Sequence, residues 1–160
     1  MKNTFIVLAD LGHLRAFQPQ AAEPGVGREY DLKEIKLAPL THTPTPISEQ
    51  VTDQAGRFAQ GGGAGAARGC GMSHGEAHNL KTEDERRLIK ELASRIDAVL
   101  AKRSPARWIL AAPSAILPRL KEALHPTSKK ILVDTQGSDL TKLSLKQVEA
   151  RFFKPIDQVA

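Results

Sequence analysis

The sequence predicts an α/β protein, a mixed β-sheet with helices packed on its faces. Two observations carry that expectation. Short apolar runs built from strand formers open the chain and return in its second half, and between them apolar residues recur at helical spacing. The order of elements is three strands, helix, strand, helix, strand, helix, so antiparallel strands come first and strand–helix units follow. The 160 residues suit one domain, 1–160, with enough chain for a hydrophobic core.

Residues 3–9, Asn-Thr-Phe-Ile-Val-Leu-Ala, read as a buried strand. Asp10-Leu11-Gly12-His13 carries turn residues, and Leu14 to Phe17 alternates as the second strand of a hairpin. Residues 19–27 read as a loop. Tyr30, Leu32, Ile35 and Leu37 mark a third strand, with a slip of phase between Leu32 and Ile35 of the kind a β-bulge produces.

Residues 41–79 change character. Thr41-His42-Thr43-Pro44-Thr45-Pro46 suits neither a helix nor a central strand. Seven of the twelve glycines fall between Gly56 and Gly71. The large apolar side chains before Leu80 are Ile47, Val51, Phe58 and Met72, too few to offset backbone ordering at about 1–2 kcal/mol per residue. A flexible Pro/Gly-rich surface segment is the expectation.

Thr82-Glu83-Asp84-Glu85 has the form of a capping box, and three acids suit the first turn of a helix. Leu88, Ile89, Leu92, Ile96, Val99 and Leu100 follow at helical spacing, and Pro105 stops the run, so a helix is predicted from about 82 to 103. Trp108 to Ala112 reads as a buried strand. Ser114 can cap a helix carrying Ile116, Leu117, Leu120 and Leu124. Residues 130–133 read as the next strand, and Ser144 as the cap of a last helix with Leu145, Val148 and Phe152.

Cys70 is the single cysteine, so no disulfide can close within the chain, and a reducing cytosol is the simplest compartment. The first apolar run ends at Asp10, too short for a signal-peptide core, and no stretch approaches the roughly 18 apolar residues of a membrane helix. The expected location is therefore cytoplasmic. Charge is unevenly placed. Residues 1–80 hold 7 Lys/Arg against 8 Asp/Glu, and residues 81–160 hold 16 against 10. A basic half attracts phosphate backbones, and it also serves as a plain solvated surface.

The candidate contacts are few. Gln60, Gly61, Gly62 and Gly63 open a glycine-rich run that lets a backbone approach phosphates, with Arg57 and Arg68 beside it. This is not a nucleotide P-loop, because Gly-Lys-Ser/Thr is missing. His74 and His78 are four apart and Cys70 is near, but a closed zinc site needs a fourth ligand. His78 reads better as a polar contact where the helix begins, and no metal or cofactor is expected. Cys70 lacks a visible activating base. Asp10 and Asp139 adjoin apolar strand ends, where paired carboxylates can hold metal, although turn and cap roles explain each singly. Lys129, Lys130, Lys142 and Lys146 form a candidate basic surface. Aromatics to stack bases are nearly absent beside it, which leaves contact with a structured RNA backbone.

Several short motifs, in order, resemble the bacterial host attachment proteins. They are Ala9-Asp10 with Arg15-Ala16-Phe17, then Asp53-Gln54-Ala55-Gly56-Arg57 leading into the glycine run. His78 follows before the acidic helix start, then Leu110-Ala111-Ala112-Pro113 with Leu117 and Leu120, then Asp139-Leu140-Thr141. That family is described as required for attachment to host cells. It is similar to the middle domain of eukaryotic and archaeal peptide-chain release factors, which implies a mixed-sheet α/β fold. In the release factors a Gly-Gly-Gln loop precedes the long helix and its glutamine helps water attack the peptidyl-tRNA ester. Here the order is Gln60-Gly61-Gly62-Gly63, and Gly-Gly-Gln does not occur. The resemblance thus implies a non-catalytic factor that contacts ribosome or tRNA. The alternative is an attachment-related factor with no part in translation.

Overall fold

The computed structural model describes residues 4–22, 30–41 and 74–152, with residues 74–80 as backbone only. Among the described residues, nine elements follow one another. They are β1 (Phe5–Ala9), β2 (Leu14–Ala21), β3 (Tyr30–Ile35), α1 (His74–Arg103), β4 (Trp108–Ala111), α2 (Leu117–Ala123), α3 (Pro126–Lys130), β5 (Leu132–Gln136) and α4 (Leu145–Phe152). The five strands form one mixed sheet in the order β3-β2-β1-β4-β5. β1 pairs antiparallel with β2 and parallel with β4, β3 is antiparallel to β2, and β5 is parallel to β4. The predicted α/β class is the observed one.

β1 and β4 sit at the centre, and both faces of the sheet are covered. This explains why they read as unbroken apolar runs rather than as alternations. On one face, Phe5, Val7, Trp108 and Leu110 pack against Ile89, Leu92, Ile96 and Leu100 of α1 and Leu120 of α2. On the other, Ile6, Leu8, Phe17 and Ile109 pack against Val148 and Phe152 of α4. Trp108 is fully buried, and its indole Nε1–H donates to the Ser128 carbonyl at 2.7 Å. That bond satisfies the one polar atom such a core tryptophan brings with it.

The same two-sided burial removes the expected bulge in β3. Its register with β2 runs unbroken from Ala21↔Tyr30 to Ala16↔Ile35. Leu32 joins the α4 face and Ile35 the α1 face, so the apparent slip of phase is ordinary alternation between two cores. β2 also runs through Pro19, where a loop was expected. Its pairing with β1 starts at Ile6↔Phe17, so Pro19 lies beyond β1, where a missing N–H costs no ladder bond on that side.

α1 begins at His74, about two turns before the predicted start at Thr82. Capping residues contribute about 1 kcal/mol at a helix start, but they do not forbid a helix from running through them. No proline lies between 74 and 103. The part of the expected flexible segment from 74 to 79 is therefore helical, while residues 42–73 lie outside the described residues. At its other end α1 closes on Ser104, whose φ of 44° is left-handed. The Ser104 N–H donates to the Leu100 carbonyl at 2.7 Å and its hydroxyl to the Ala101 carbonyl at 3.2 Å.

The predicted strand at 130–133 moves to Leu132–Gln136, and Lys129 and Lys130 belong to α3 instead. Pro126 sits in the first turn of α3, and His125 Nδ1 accepts from the Thr127 N–H. β5 is an edge strand. Trp108↔Leu132 is followed by Ile109↔Asp134, so Val133 is the extra residue of a bulge and stays 54% exposed. Bulges are one way proteins blunt a free edge. Ser144 stands just before α4 as predicted, and its N–H and hydroxyl donate to Gln147 Oε1 at 2.9 and 3.1 Å, which is the Gln half of a capping box.

Candidate functional site

β1, β4 and β5 are parallel, so the sheet has one end where they start and one where they finish. The two ends hold different chemistry.

Asp10 follows β1 at the finishing end. Its Oδ1 accepts from the Gly12 and His13 N–H groups, both at 2.6 Å. Its Oδ2 accepts from the Thr141 hydroxyl at 2.8 Å, and the His13 ring nitrogen Nδ1 lies 3.1 Å from both oxygens. The same Thr141 hydroxyl lies 2.7 Å from Asp139 Oδ1, which also accepts from the Thr141 N–H at 3.1 Å. One hydroxyl proton thus serves two carboxylates. Burial pushes the Asp10 carboxyl up. The hydrogen bonds from Thr141, Gly12 and His13 outweigh it and hold the group below its ordinary value.

Arg15, in β2, braces the same end. Its Nη1 donates to the carbonyls of Thr141 at 2.8 Å and Leu143 at 2.6 Å. Its Nε and Nη2 fork onto Glu34 at 2.6 and 2.9 Å. The shared hydrogen bond is the main reason Glu34 is held below, and Arg15 above, its ordinary value. The pairing of Asp10 with Asp139 weighed from sequence is thus real in space. The Thr141 hydroxyl joins the two, and its bond to Asp10 acts as a clip between residues 131 positions apart. Asp10 accepts from three definite donors, the Gly12 and His13 N–H groups and the Thr141 hydroxyl, so its oxygens are committed chiefly to holding this turn. Among the described residues, no group of three or more His, Cys, Asp or Glu is placed to hold a metal ion.

The starting end is basic. Arg107 precedes β4, and its carbonyl accepts from the Phe5 N–H. Lys102 and Arg103 close α1. Lys129 and Lys130 close α3, just before Ile131, whose carbonyl accepts from the Trp108 N–H. Lys129 Nζ donates to the Glu122 carbonyl at 2.8 Å. Beside Arg103, along the outer strands β2 and β3, lies a depression of about 540 Å³. Gln18, Gln20, Lys33, Glu34, Lys36 and Arg103 line it.

The basic set predicted from sequence is divided by the fold. Lys129 and Lys130 lie at the starting end of the parallel strands. Lys142 follows Thr141 at the finishing end and Lys146 lies in the first turn of α4. All four are exposed. Arg57, Gln60, Gly61, Gly62, Gly63 and Arg68 lie outside the described residues, and His78 lies in the first turns of α1. Sequence reasoning missed the role of Arg15. The available signal for Arg15 was a charged residue between Leu14 and Ala16-Phe17, inside a strand whose neighbours are buried.

Among the described residues, no helix is long and apolar enough to cross a membrane. No curated protein matches the chain. A family model described as "Protein required for attachment to host cells" matches residues 5–152, from the first residue of β1 to the last of α4. The sheet, its two helical layers and the Asp10–Thr141 clip all fall within that match, and the chain belongs to this family.

Proposed function

We propose that this protein is a non-catalytic binding factor of the translation apparatus that contacts ribosomal RNA or tRNA through phosphate groups. The supporting observation is the starting end of the sheet. Lys33, Lys102, Arg103, Arg107 and Lys130 stand exposed there, and no described carboxylate pairs with them. Cations that the fold does not consume are the ones a polyanion can recruit. Arg57, Gln60, Gly61, Gly62, Gly63, Arg68 and His78 extend this reading as further contacts along the glycine-rich segment.

The likeness to the release-factor middle domain belongs to the same proposal, without its hydrolytic step. The purified protein should release no peptide from peptidyl-tRNA on ribosomes. Release that disappears in Gln60→Ala would reverse that part of the reading. The main test is sedimentation of the tagged protein with ribosomal particles at low salt, with release as salt rises. A protein that stays wholly in the top fractions at low salt removes the ribosome from the proposal. Deleting residues 60–71 should leave the melting temperature nearly unchanged and weaken co-sedimentation.

The family description supports a second reading, an attachment-related factor with no translation role. A deletion strain separates the two. Loss of attachment with an unaltered ribosome profile favours the second reading, and loss of both favours an indirect effect through translation.

A further inference from the structure

We propose that the depression between β2, β3 and the last turn of α1 is a docking site for phosphodiester groups of structured RNA. This rests on the RNA-contacting reading above and assigns it a place. Gln18 and Lys33 are register partners, and Gln20 lies two residues along β2 on the same face. Lys36 lies just past β3, and Arg103 faces them from the end of α1.

The charge balance favours an anion. Lys33, Lys36 and Arg103 give three positive charges, and no described carboxylate pairs with them. The one carboxylate in the lining, Glu34, is forked onto Arg15, which neutralises it and leaves the three cations in excess. Gln18 and Gln20 add amide N–H donors, the usual complement to Lys and Arg at a nucleic-acid backbone. No aromatic side chain lines the site, so bases have nothing to stack on and phosphates are what it can read. The lining is exposed rather than enclosed, which suits a segment of backbone passing over it more than a small molecule swallowed whole.

The test uses the full chain, deacylated bulk tRNA as the probe, and binding measured across a salt series. Lys33→Gln with Arg103→Gln should weaken binding about tenfold at low salt. It should also make the slope of log affinity against log salt shallower by about 2, one phosphate contact for each lost charge. Lys142→Gln with Lys146→Gln, at the other end of the sheet, removes the same charge and should change both far less. Equal losses in the two pairs would mean that net charge alone drives binding, and the site would be rejected. An unchanged affinity in the first pair rejects it too. Lysine acetylation of the unmutated protein gives a readout independent of any variant. Bound tRNA should protect Lys33 and Lys36 but not Lys121 on α2, and absence of that protection counts against the site. If the first pair still co-sediments with ribosomes as the unmutated protein does, the site fails and the functional reading stands. If the unmutated protein neither sediments with ribosomes nor binds tRNA, both fail.

Discussion

Where β1 finishes, Asp10 and Arg15 are each matched to two or more hydrogen-bonding partners. Where β1 and β4 begin, Lys33, Arg103 and Arg107 meet no described carboxylate. The first arrangement spends charge on holding the chain together. Arg15 reaches from β2 to the 141–143 turn, and Asp10 reaches Thr141 from the end of β1, so the turn that leads into α4 is tied to the sheet at two points. The second arrangement leaves charge in water, where it adds little to stability. One end of the sheet thus spends its charge on structure and the other leaves its charge in water, although their residue types would not have been sorted that way by composition.

The largest effect that would break this contrast is expected at Arg15. Arg15→Ala removes two bonds to backbone carbonyls and the fork onto Glu34, and should cost about 3 kcal/mol in a urea titration. Arg15→Lys keeps the charge but not the fork, and should recover less than half of the loss. A cost under about 1 kcal/mol for Arg15→Ala would mean that this end is not held by its charges.

Asp10→Asn comes next, at about 2 kcal/mol near neutral pH. Its sign with pH is definite. The folded carboxyl titrates below its ordinary value, so its contribution is complete above the unfolded carboxylate range and is lost as pH falls through the lower folded value. The stability gap between the unmutated protein and Asp10→Asn should therefore be constant around neutrality and close in acid. Thr141→Val keeps the volume and removes only the shared proton, and should cost about 1 kcal/mol. A Thr141→Val protein as stable as the parent would show that the two carboxylates do not depend on that hydroxyl.

These residues also mark what the chain discloses before it is folded. β1, β4 and the apolar stripe of α1 were legible because burial on both faces, or on one helical face, writes itself into local sequence. Ser144 was legible because its partner Gln147 is three residues away. The tie from Asp10 to Thr141 was not, since no periodicity links positions 131 apart. β5 was misplaced because an edge strand with Asp134, Thr135 and Gln136 needs little apolar surface. The start of α1 was misplaced because a capping box inside a helix looks the same as one at its end. The depression escaped notice for the reason the clip did. Its residues come from β2, β3 and α1, and only the register of Gln18 with Lys33 and the position of the last turn of α1 bring them together.

The smallest effect should come from the basic end, and it carries the other half of the comparison. Lys33→Gln with Arg103→Gln should alter stability by no more than about 0.5 kcal/mol, the range usual for exposed positions. Lys33 leaves no described carboxylate behind when it is neutralised. Arg103 favours the α1 carboxyl terminus through the helix dipole, but Lys102 remains there, and Ser104 still satisfies the Leu100 and Ala101 carbonyls. At this chain length a change of 0.5 kcal/mol moves the melting temperature by only about 1–2 °C, so urea titration in parallel is the firmer measure. A loss of 2 kcal/mol or more would place these cations among the structural charges and erase the difference between the two ends. A near-zero change alongside a tenfold fall in tRNA affinity would show that the charges the fold can spare are the ones its partner uses.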